Sequence, residues 1–239
     1  MSKNFILIGA SSAISKALIG SLDSTNTVYA LTRDASNLNA SDYDCHPTVL
    51  TTDTSSLSDV SDTIARIAGE CHIDGVVNFC GSIVLKPMHL LTEALFRETL
   101  DINLMTSFNV AHAVTSHIKK DCQIIFLSTS AAHIGLPNHE AIAAAKYAVE
   151  GLSKSIAATY ASANIRSNVL APGLVDSPLS SDIFSSERAK AVSQKMHGLS
   201  RLGVPSDISA CLRYMLLEAT WMTGEVIRID GGLSTMKSY

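Results

Sequence analysis

Lys146 is the side chain of greatest chemical interest in this chain, because it stands on an alanine-rich helical stretch that offers no other reason for an ammonium group. Ile142 precedes it by four residues and therefore shares its helix face. Two polar groups come before this helix: Thr129, in a hydroxyl cluster after an apolar run, and His139, whose imidazole ring can exchange protons. Asn103 is a mid-helix asparagine, which competes with the backbone for hydrogen bonds. An ammonium can bind hydroxyl groups and an imidazole can move protons, so these are residue types that catalytic sites use.

Alternating strand-like and helix-like segments must position these residues. The strands read as short apolar runs, which is typical of parallel strands buried on both faces. We expect about seven of them, at Phe5–Ile8, Thr27–Leu31, Thr48–Thr51, Gly75–Phe79, Gln123–Leu127, Arg166–Leu170 and Glu225–Ile229. Helices are expected near Ala13–Leu22, Leu57–Cys71, Thr92–Ile118, Glu140–Tyr160 and Ser206–Glu218. The alternation predicts an α/β fold, with one doubly wound parallel sheet over residues 1–239 and helices on both faces. The stretch from Pro172 to Ser186 is expected to form a loop that covers a ligand.

The turn after the first expected strand has the composition of a phosphate-binding turn. Gly9 permits a tight bend, and Ser11 and Ser12 bring hydroxyl groups ahead of the first helix. Because the first backbone N–H groups of a helix attract phosphate, this turn fits a dinucleotide site, although by itself it is equally an ordinary strand-to-helix turn. Arg33 follows the second strand, where an NAD-selective site would carry an acidic residue near Thr32. A guanidinium there favours the 2′-phosphate of NADP over NAD.

The order of these pieces resembles the short-chain dehydrogenase/reductase family from Phe5 to Leu233. The closing segments carry the resemblance most specifically, namely Pro172-Gly173, Arg201-Leu202-Gly203 and Asp230-Gly231-Gly232. The resemblance implies a Rossmann-type fold, a nicotinamide cofactor and a homodimer or homotetramer. It implies catalytic roles for Lys146, Thr129 and Asn103, with Lys146 also binding the nicotinamide ribose. The cofactor contacts that it implies are Gly9, Ser11, Ser12, Ile14, Arg33, Asp53, Thr54, Asn78, Gly81, Lys146, Pro172, Gly173, Val175 and Ser177.

Ile142 departs from the pattern of that family. Its members carry a Tyr-x-x-x-Lys pair, with a serine thirteen residues before the tyrosine, and the tyrosine exchanges a proton with the substrate oxygen. The corresponding positions here are Ile142 and Thr129. Isoleucine cannot donate a proton, so proton delivery must be altered. His139, or Glu140 beside it, is the nearest candidate for that role.

Two functions therefore remain open. The first is an NAD(P)(H)-dependent oxidoreductase that acts on a small or medium carbonyl, alcohol or enoyl compound. The second is a catalytically inactive member of the same fold that binds a nucleotide or a partner. Ile142, together with Ala13 and Ser15 in place of two family glycines, favours the second function. The retained Lys146 and Asn103 favour the first.

Composition limits the partners and the location of the chain. The formal charge of −4, with acidic and basic residues interspersed, leaves no basic patch for nucleic acid. Five scattered cysteines without a Cys-x-x-Cys pair indicate reduced thiols, and the histidines lack metal-ligand spacing. The apolar stretch from Phe5 to Ala10 is too short for a signal peptide or a membrane span. We therefore expect a cytoplasmic protein with a small-molecule substrate and no metal. Helices that are apolar on more than one face predict a homo-oligomer.

Overall fold

The computed structural model describes residues 2–184 and 186–236. A parallel sheet of seven strands lies at its centre, in the order β3-β2-β1-β4-β5-β6-β7. The strands are β1 Asn4–Ile8, β2 Thr27–Thr32, β3 Thr48–Thr51, β4 Gly75–Asn78, β5 Cys122–Leu127, β6 Ile165–Pro172 and β7 Val226–Ile229. Each expected strand is present within one or two residues of its expected bounds. The predicted doubly wound α/β fold is confirmed.

Helices cover both faces of the sheet. In the described part of the chain they are α1 Ala13–Ile19, α2 Leu57–Glu70, α3 Glu93–Leu100, α4 Thr106–His117, α5 Glu140–Tyr160, α6 Glu187–Met196 and α7 Pro205–Leu217. On one face, α1 and α7 pack over Phe5 and Leu7. On the other face, α2, α4 and α5 pack over Ile6 and Ile8. Successive residues of β1 therefore enter opposite cores, which explains why its sequence is a continuous apolar run.

Two expectations about the elements around the crevice were wrong, one about a helix and one about a loop. The single helix expected over Thr92–Ile118 is divided by a π-helical turn at Asp101–Met105. At its centre, the Asn103 Nδ2 group donates to the carbonyl of Thr99 at 3.0 Å, so a side chain competes for a backbone acceptor. The stretch from Pro172 to Ser186 is not all loop, because Pro178–Phe184 forms 3₁₀ turns. The helix that follows, α6, was not expected from the sequence. Ser185, between these two elements, lies outside the described residues.

The crossover between β1 and β4 creates the crevice in which folds of this kind bind ligands. Gly9 ends β1 there with φ of +74°. A Cβ at this position would lie 3.1 Å from the backbone nitrogen of Cys80 and 3.2 Å from the carbonyl carbon of Phe79. Both backbone conformation and space therefore require glycine at this turn.

Candidate active site

A cavity of about 470 Å³ opens at the carboxyl ends of the strands. It extends from the turn after β1, past the ends of β4 and β5, to the loop after β6. Twelve of the predicted site residues line it: Ser11, Ser12, Ile14, Gly81, Asn103, Thr129, His139, Lys146, Pro172, Gly173, Val175 and Ser177. The other five predicted residues, Gly9, Arg33, Asp53, Thr54 and Asn78, are not part of this lining. The fold therefore brings most of the predicted residues to one place.

Lys146 is buried at the centre of this cavity. Its Nζ group donates a hydrogen bond of 2.9 Å to the carbonyl of Leu127, at the end of β5. Burial lowers the pKa of Lys146 to about 8, and the nearby Cys80 thiol opposes this shift. A Cβ at Gly81 would lie 3.3 Å from the Lys146 Nζ atom and 3.0 Å from the Asn103 Oδ1 atom. Gly81 thus leaves the space in which the ammonium and the amide come together.

Asn103 fixes the loop that follows β4 against this ammonium. Its Nδ2 group donates to the Ser82 hydroxyl at 3.1 Å, and its Oδ1 atom accepts the Ser82 backbone N–H at 3.2 Å. Asn103 is fully buried, so each of these bonds forms away from water. Ser82, which also lines the cavity, was not identified from the sequence. A lone serine after a Gly-containing turn gives no signal of its own.

The serines of the β1–α1 turn are already used within the protein. The Ser12 hydroxyl accepts the backbone N–H of Ser15 at 3.2 Å and therefore caps α1. The Ser11 hydroxyl accepts a longer bond, of 3.4 Å, from the hydroxyl of Thr32. These bonds hold the turn open towards the cavity, with the start of α1 behind it.

Arg33 and Asp53 lie beyond the cavity lining, at the outer end of the crevice. Arg33 is exposed. The Asp53 carboxylate accepts bonds from the Ser55 hydroxyl at 2.6 Å and the Ser55 backbone N–H at 3.0 Å. These bonds lower the pKa of Asp53, and the positive charge of Arg33 lowers it further. Arg33 and Asp53 follow the neighbouring strands β2 and β3, so both lie at the carboxyl edge of the sheet.

Asn78 holds the turn after β4 rather than lining the cavity. Its Oδ1 atom accepts the backbone N–H of Cys80, and its Nδ2 group donates to the Ser107 hydroxyl, both at 3.1 Å. Thr54 lies beside the same turn, where its hydroxyl is 3.5 Å from the Cys80 thiol. Both residues support the wall of the site from behind.

Thr129 and His139 face the cavity from the β5–α5 connection. The Thr129 hydroxyl accepts the Ala131 backbone N–H at 3.2 Å. His139 Nδ1 lies 2.8 Å from the Pro137 carbonyl, which can only accept, so Nδ1 carries the proton and Nε2 can act as a base. Glu140 does not line the cavity, and its carboxylate accepts the Met88 N–H at 3.2 Å.

Sequence reasoning missed a buried carboxylate next to the site. The Ser128 hydroxyl, which lines the cavity, donates to the Glu150 carboxylate at 2.6 Å. His133 Nε2 lies 3.0 Å from the same oxygen atom. Glu150 follows Lys146 by four residues on α5, and this spacing is the signal that could have revealed it.

His197 is a second residue that the sequence did not reveal. It is buried after α6 and lines the cavity. Its Nδ1 group donates to the Ser193 carbonyl at 2.8 Å, and its Nε2 atom accepts the Leu174 N–H at 3.2 Å. This ring therefore ties α6 to the loop after β6. A Cβ at Gly173 would lie 2.9 Å from the His197 Nε2 atom, which explains glycine at that position.

Other features of the described residues bear on location and cofactors. None of their helices has the length and apolar character needed to cross a membrane. Residues 2–184 and 186–236 contain no group of three or more His, Cys, Asp or Glu side chains that could hold a metal ion. The five cysteines are free thiols.

Comparison with known proteins places this geometry in a family. A family model described as enoyl-(acyl carrier protein) reductase matches residues 24–234. The chain is 30% identical over 162 residues to a tropinone reductase homologue of Arabidopsis thaliana, a match covering 66% of this chain and 62% of the relative. It is 31% identical over 151 residues to a peroxisomal 2,4-dienoyl-CoA reductase of Saccharomyces cerevisiae, covering 62% of this chain and 52% of the relative. The matches thus span between half and two thirds of these relatives.

A solved structure extends the likeness over the whole fold. The ligand-free aldohexose dehydrogenase of Thermoplasma acidophilum superposes with a TM-score of 0.87 at 25% identity, covering 100% of this chain and 96% of that one. Its likeness covers the first 23 residues, which the family model leaves out. With the family model matched over most of its length, the chain belongs to the short-chain dehydrogenase/reductase family, whose members are oxidoreductases that use NAD(P) nucleotides.

Proposed function

We propose that the protein is an NADP(H)-dependent oxidoreductase that acts on a small or medium carbonyl, alcohol or enoyl compound. The observation that carries this proposal is the convergence of Lys146 and Asn103 at Gly81. Their cavity runs without a break from Ser11 to Ser177. A buried ammonium is costly to a fold unless a partner compensates for it, and a ligand in this cavity would be such a partner.

The residues present fit a dinucleotide. The pyrophosphate would lie at the turn from Gly9 to Ile14, where a helix begins, with the adenosine end near Asp53 and Thr54. Lys146 has three N–H donors and the Leu127 carbonyl accepts one of them, so the ribose hydroxyls of a nicotinamide nucleotide would accept the others. The nicotinamide amide would meet the loop of Pro172, Gly173, Val175 and Ser177, near Asn78 and Gly81. When bound, this group supplies or accepts a hydride.

Proton delivery in this site must differ from that of the family, because we propose that Ile142 occupies the position of the family's tyrosine. Ile142 lies one helical turn before Lys146, and both side chains line the cavity. We assign the proton transfer to His139, whose Nε2 atom can take a proton when an alcohol is oxidised. In the reverse direction the protonated ring would return it to the carbonyl oxygen. Thr129 would position that oxygen through its hydroxyl hydrogen.

The second candidate function is a non-catalytic protein that binds a nucleotide. The buried, unreactive side chain of Ile142 beside Lys146 favours it. Fluorescence of reduced nicotinamide on mixing with the protein tests binding, and a turnover screen against ketones, alcohols and enones tests catalysis. We expect both signals. Binding without turnover on any substrate class would establish the non-catalytic function instead.

Arg33 supports the choice of NADP. A guanidinium bonds a phosphate bidentately, and charge-assisted bonds of this kind contribute roughly 1.5–3 kcal/mol. NADPH should therefore bind at least about tenfold more tightly than NADH, and Arg33→Ala should remove most of this preference. Arg66→Ala, which replaces an exposed arginine on α2, is the matched control. Equal affinities of the unmodified protein for the two nucleotides would exclude this assignment.

We also propose that the protein forms a homodimer or homotetramer. Phe108 on α4 and Tyr147 on α5 are substantially exposed although each has a large aromatic ring. Burial of these faces against a second copy would remove them from water. Light scattering at micromolar protein should return a multiple of the monomer mass. A monomer mass would contradict the proposal.

A further inference from the structure

We infer that the substrate has an extended, uncharged apolar tail that enters this cavity, with the reacting group at the polar end of the tail; this inference rests on the proposed function. The part of the cavity beyond Lys146 is walled by apolar side chains from five separate segments of the chain. They are Ile83, Leu85, Leu136, Ile142, Leu174, Leu179, Ile183, Met196 and Leu233. A site of this composition binds mainly by removing apolar surface from water.

A charged substrate group would find no partner in this part of the cavity. Among the described lining residues there is no carboxylate and no guanidinium. The buried His197 uses both ring nitrogens on backbone groups, so it has no donor or acceptor left for a ligand. Lys146 is assigned to the Leu127 carbonyl and the ribose, and His139 to the reacting proton, so both lining residues that can carry a positive charge belong to the reacting end of the substrate. The free-energy cost of removing a charged group from water would therefore not be offset here, whereas an alkyl chain has no such cost.

The mouth of the cavity indicates that the tail is long. Leu179 lines the cavity and yet is 56% exposed, and Leu85 lines it at 36% exposed. Leu179 lies in the 3₁₀ turns of Pro178–Phe184, at the edge of the loop after β6. A tail that passes from Lys146 to Leu179 would cover this side chain. The same tail could belong to a free ketone or enone or to an acyl thioester.

Chain length is the first test. Methyl ketones from butanone to decanone are added to the protein saturated with NADPH, and kcat/KM is measured for each. We expect kcat/KM to rise by about fourfold for each methylene group until the tail leaves the cavity. The same long ketone with a terminal carboxylate should fall at least about tenfold below its neutral counterpart. A flat profile, or equal rates with the carboxylate, would overturn the inference and leave the proposed oxidoreductase intact.

A pair of matched variants locates the tail. Leu179 and Val192 are 56% and 55% exposed, but only Leu179 lines the cavity. Leu179→Asp should abolish the gain from the last methylene groups, whereas Val192→Asp, on α6, should leave the chain-length profile unchanged. Both substitutions are at exposed positions and should leave the fold intact. Equal effects of the two variants would contradict the inference.

A binding measurement separates failure of the inference from failure of the proposed function. An apolar fluorescent probe bound in the absence of nucleotide reports the site of the tail. We expect the long neutral ketone to displace this probe and the carboxylate analogue not to displace it. Displacement without NADPH binding would support the apolar site and overturn the oxidoreductase. Enones of equal length, free and as coenzyme A thioesters, then distinguish the two sources of the tail by their kcat/KM. Absence of probe displacement by any ketone would overturn the apolar site.

Discussion

Lys146→Met should stabilise the protein while removing its activity. The pKa of Lys146 is about 8 rather than the ordinary 10.5 because burial disfavours the ammonium. That difference corresponds to roughly 3 kcal/mol in the free energy of unfolding at neutral pH. Methionine has a similar length, carries no charge and adapts to irregular space. It forfeits the bond to the Leu127 carbonyl, which costs about 1 kcal/mol. The net gain is therefore about 2 kcal/mol, or a rise in Tm of about 4–8 °C for a chain of this size.

The pH dependence gives the prediction a sign. The folded-state pKa of Lys146 lies below the unfolded value, so between about 8 and 10.5 the unfolded chain binds more protons than the folded one. The stability of the unmodified protein therefore gains from rising pH across this window. Lys146→Met lacks that gain, so its advantage should be full below pH 8 and should shrink towards pH 10.5.

Thermal unfolding of the nucleotide-free protein, followed by circular dichroism at several pH values, measures this difference. Lys154→Met is the matched control, since Lys154 lies on the same helix and is exposed. We expect no comparable rise in its Tm. An unchanged or lowered Tm for Lys146→Met at pH 7 would refute the reasoning, because the buried ammonium would then not be a cost. Turnover that survives in this variant would show that the active site lies elsewhere.

Four further substitutions test neighbouring features. Gly9→Ala should lower the free energy of unfolding by ~1–3 kcal/mol in chemical denaturation, because φ is +74° and the new Cβ would crowd the Cys80 nitrogen. Ser15→Ala should raise it by about 1 kcal/mol in the same assay, since the buried Ser15 hydroxyl has no hydrogen-bond partner among the described residues. Ile142→Tyr should raise ketone reduction at least about tenfold by adding an acid beside Lys146. If Ile142→Tyr instead lowers the rate of ketone reduction and His139→Ala abolishes ketone reduction, then proton transfer depends on His139 in the loop before α5.

The central strands could be predicted from sequence because they lie between two apolar layers. Ile6 and Ile8 enter one core while Phe5 and Leu7 enter the other, so burial leaves an uninterrupted apolar run. Helix α6 has no such signal, because none of its residues is buried and an apolar repeat is therefore absent. The π-helical turn has no such signal either, because Asn103 at its centre bonds to the Thr99 carbonyl and to Ser82, and Ser82 is 21 residues away in sequence.

Site residues could be predicted where they directly follow a strand. They could not be predicted where their role depends on a partner that is distant in sequence. The segments after β1, β4, β5 and β6 all arrive at the same edge of a parallel sheet, which is why twelve predicted residues share one cavity. Glu150 and His197 escaped prediction because their partners, Ser128 and Leu174, are more than twenty residues away. The four-residue spacing from Lys146 is the one signal that Glu150 offers, and a loop histidine such as His197 by itself indicates nothing beyond a solvated surface.

The two buried charges of α5 differ in a way that bears on function. Glu150 is compensated within the protein, since its carboxylate lies at hydrogen-bonding distance from both the Ser128 hydroxyl and His133. Lys146 lies four residues earlier on the same face, and its one bond within the described residues is to the Leu127 carbonyl. A charge retained for structure should be paired as Glu150 is, because unpaired burial is destabilising. The partners that Lys146 lacks would have to lie in the cavity beside it, where a ribose has the hydroxyl groups to supply them.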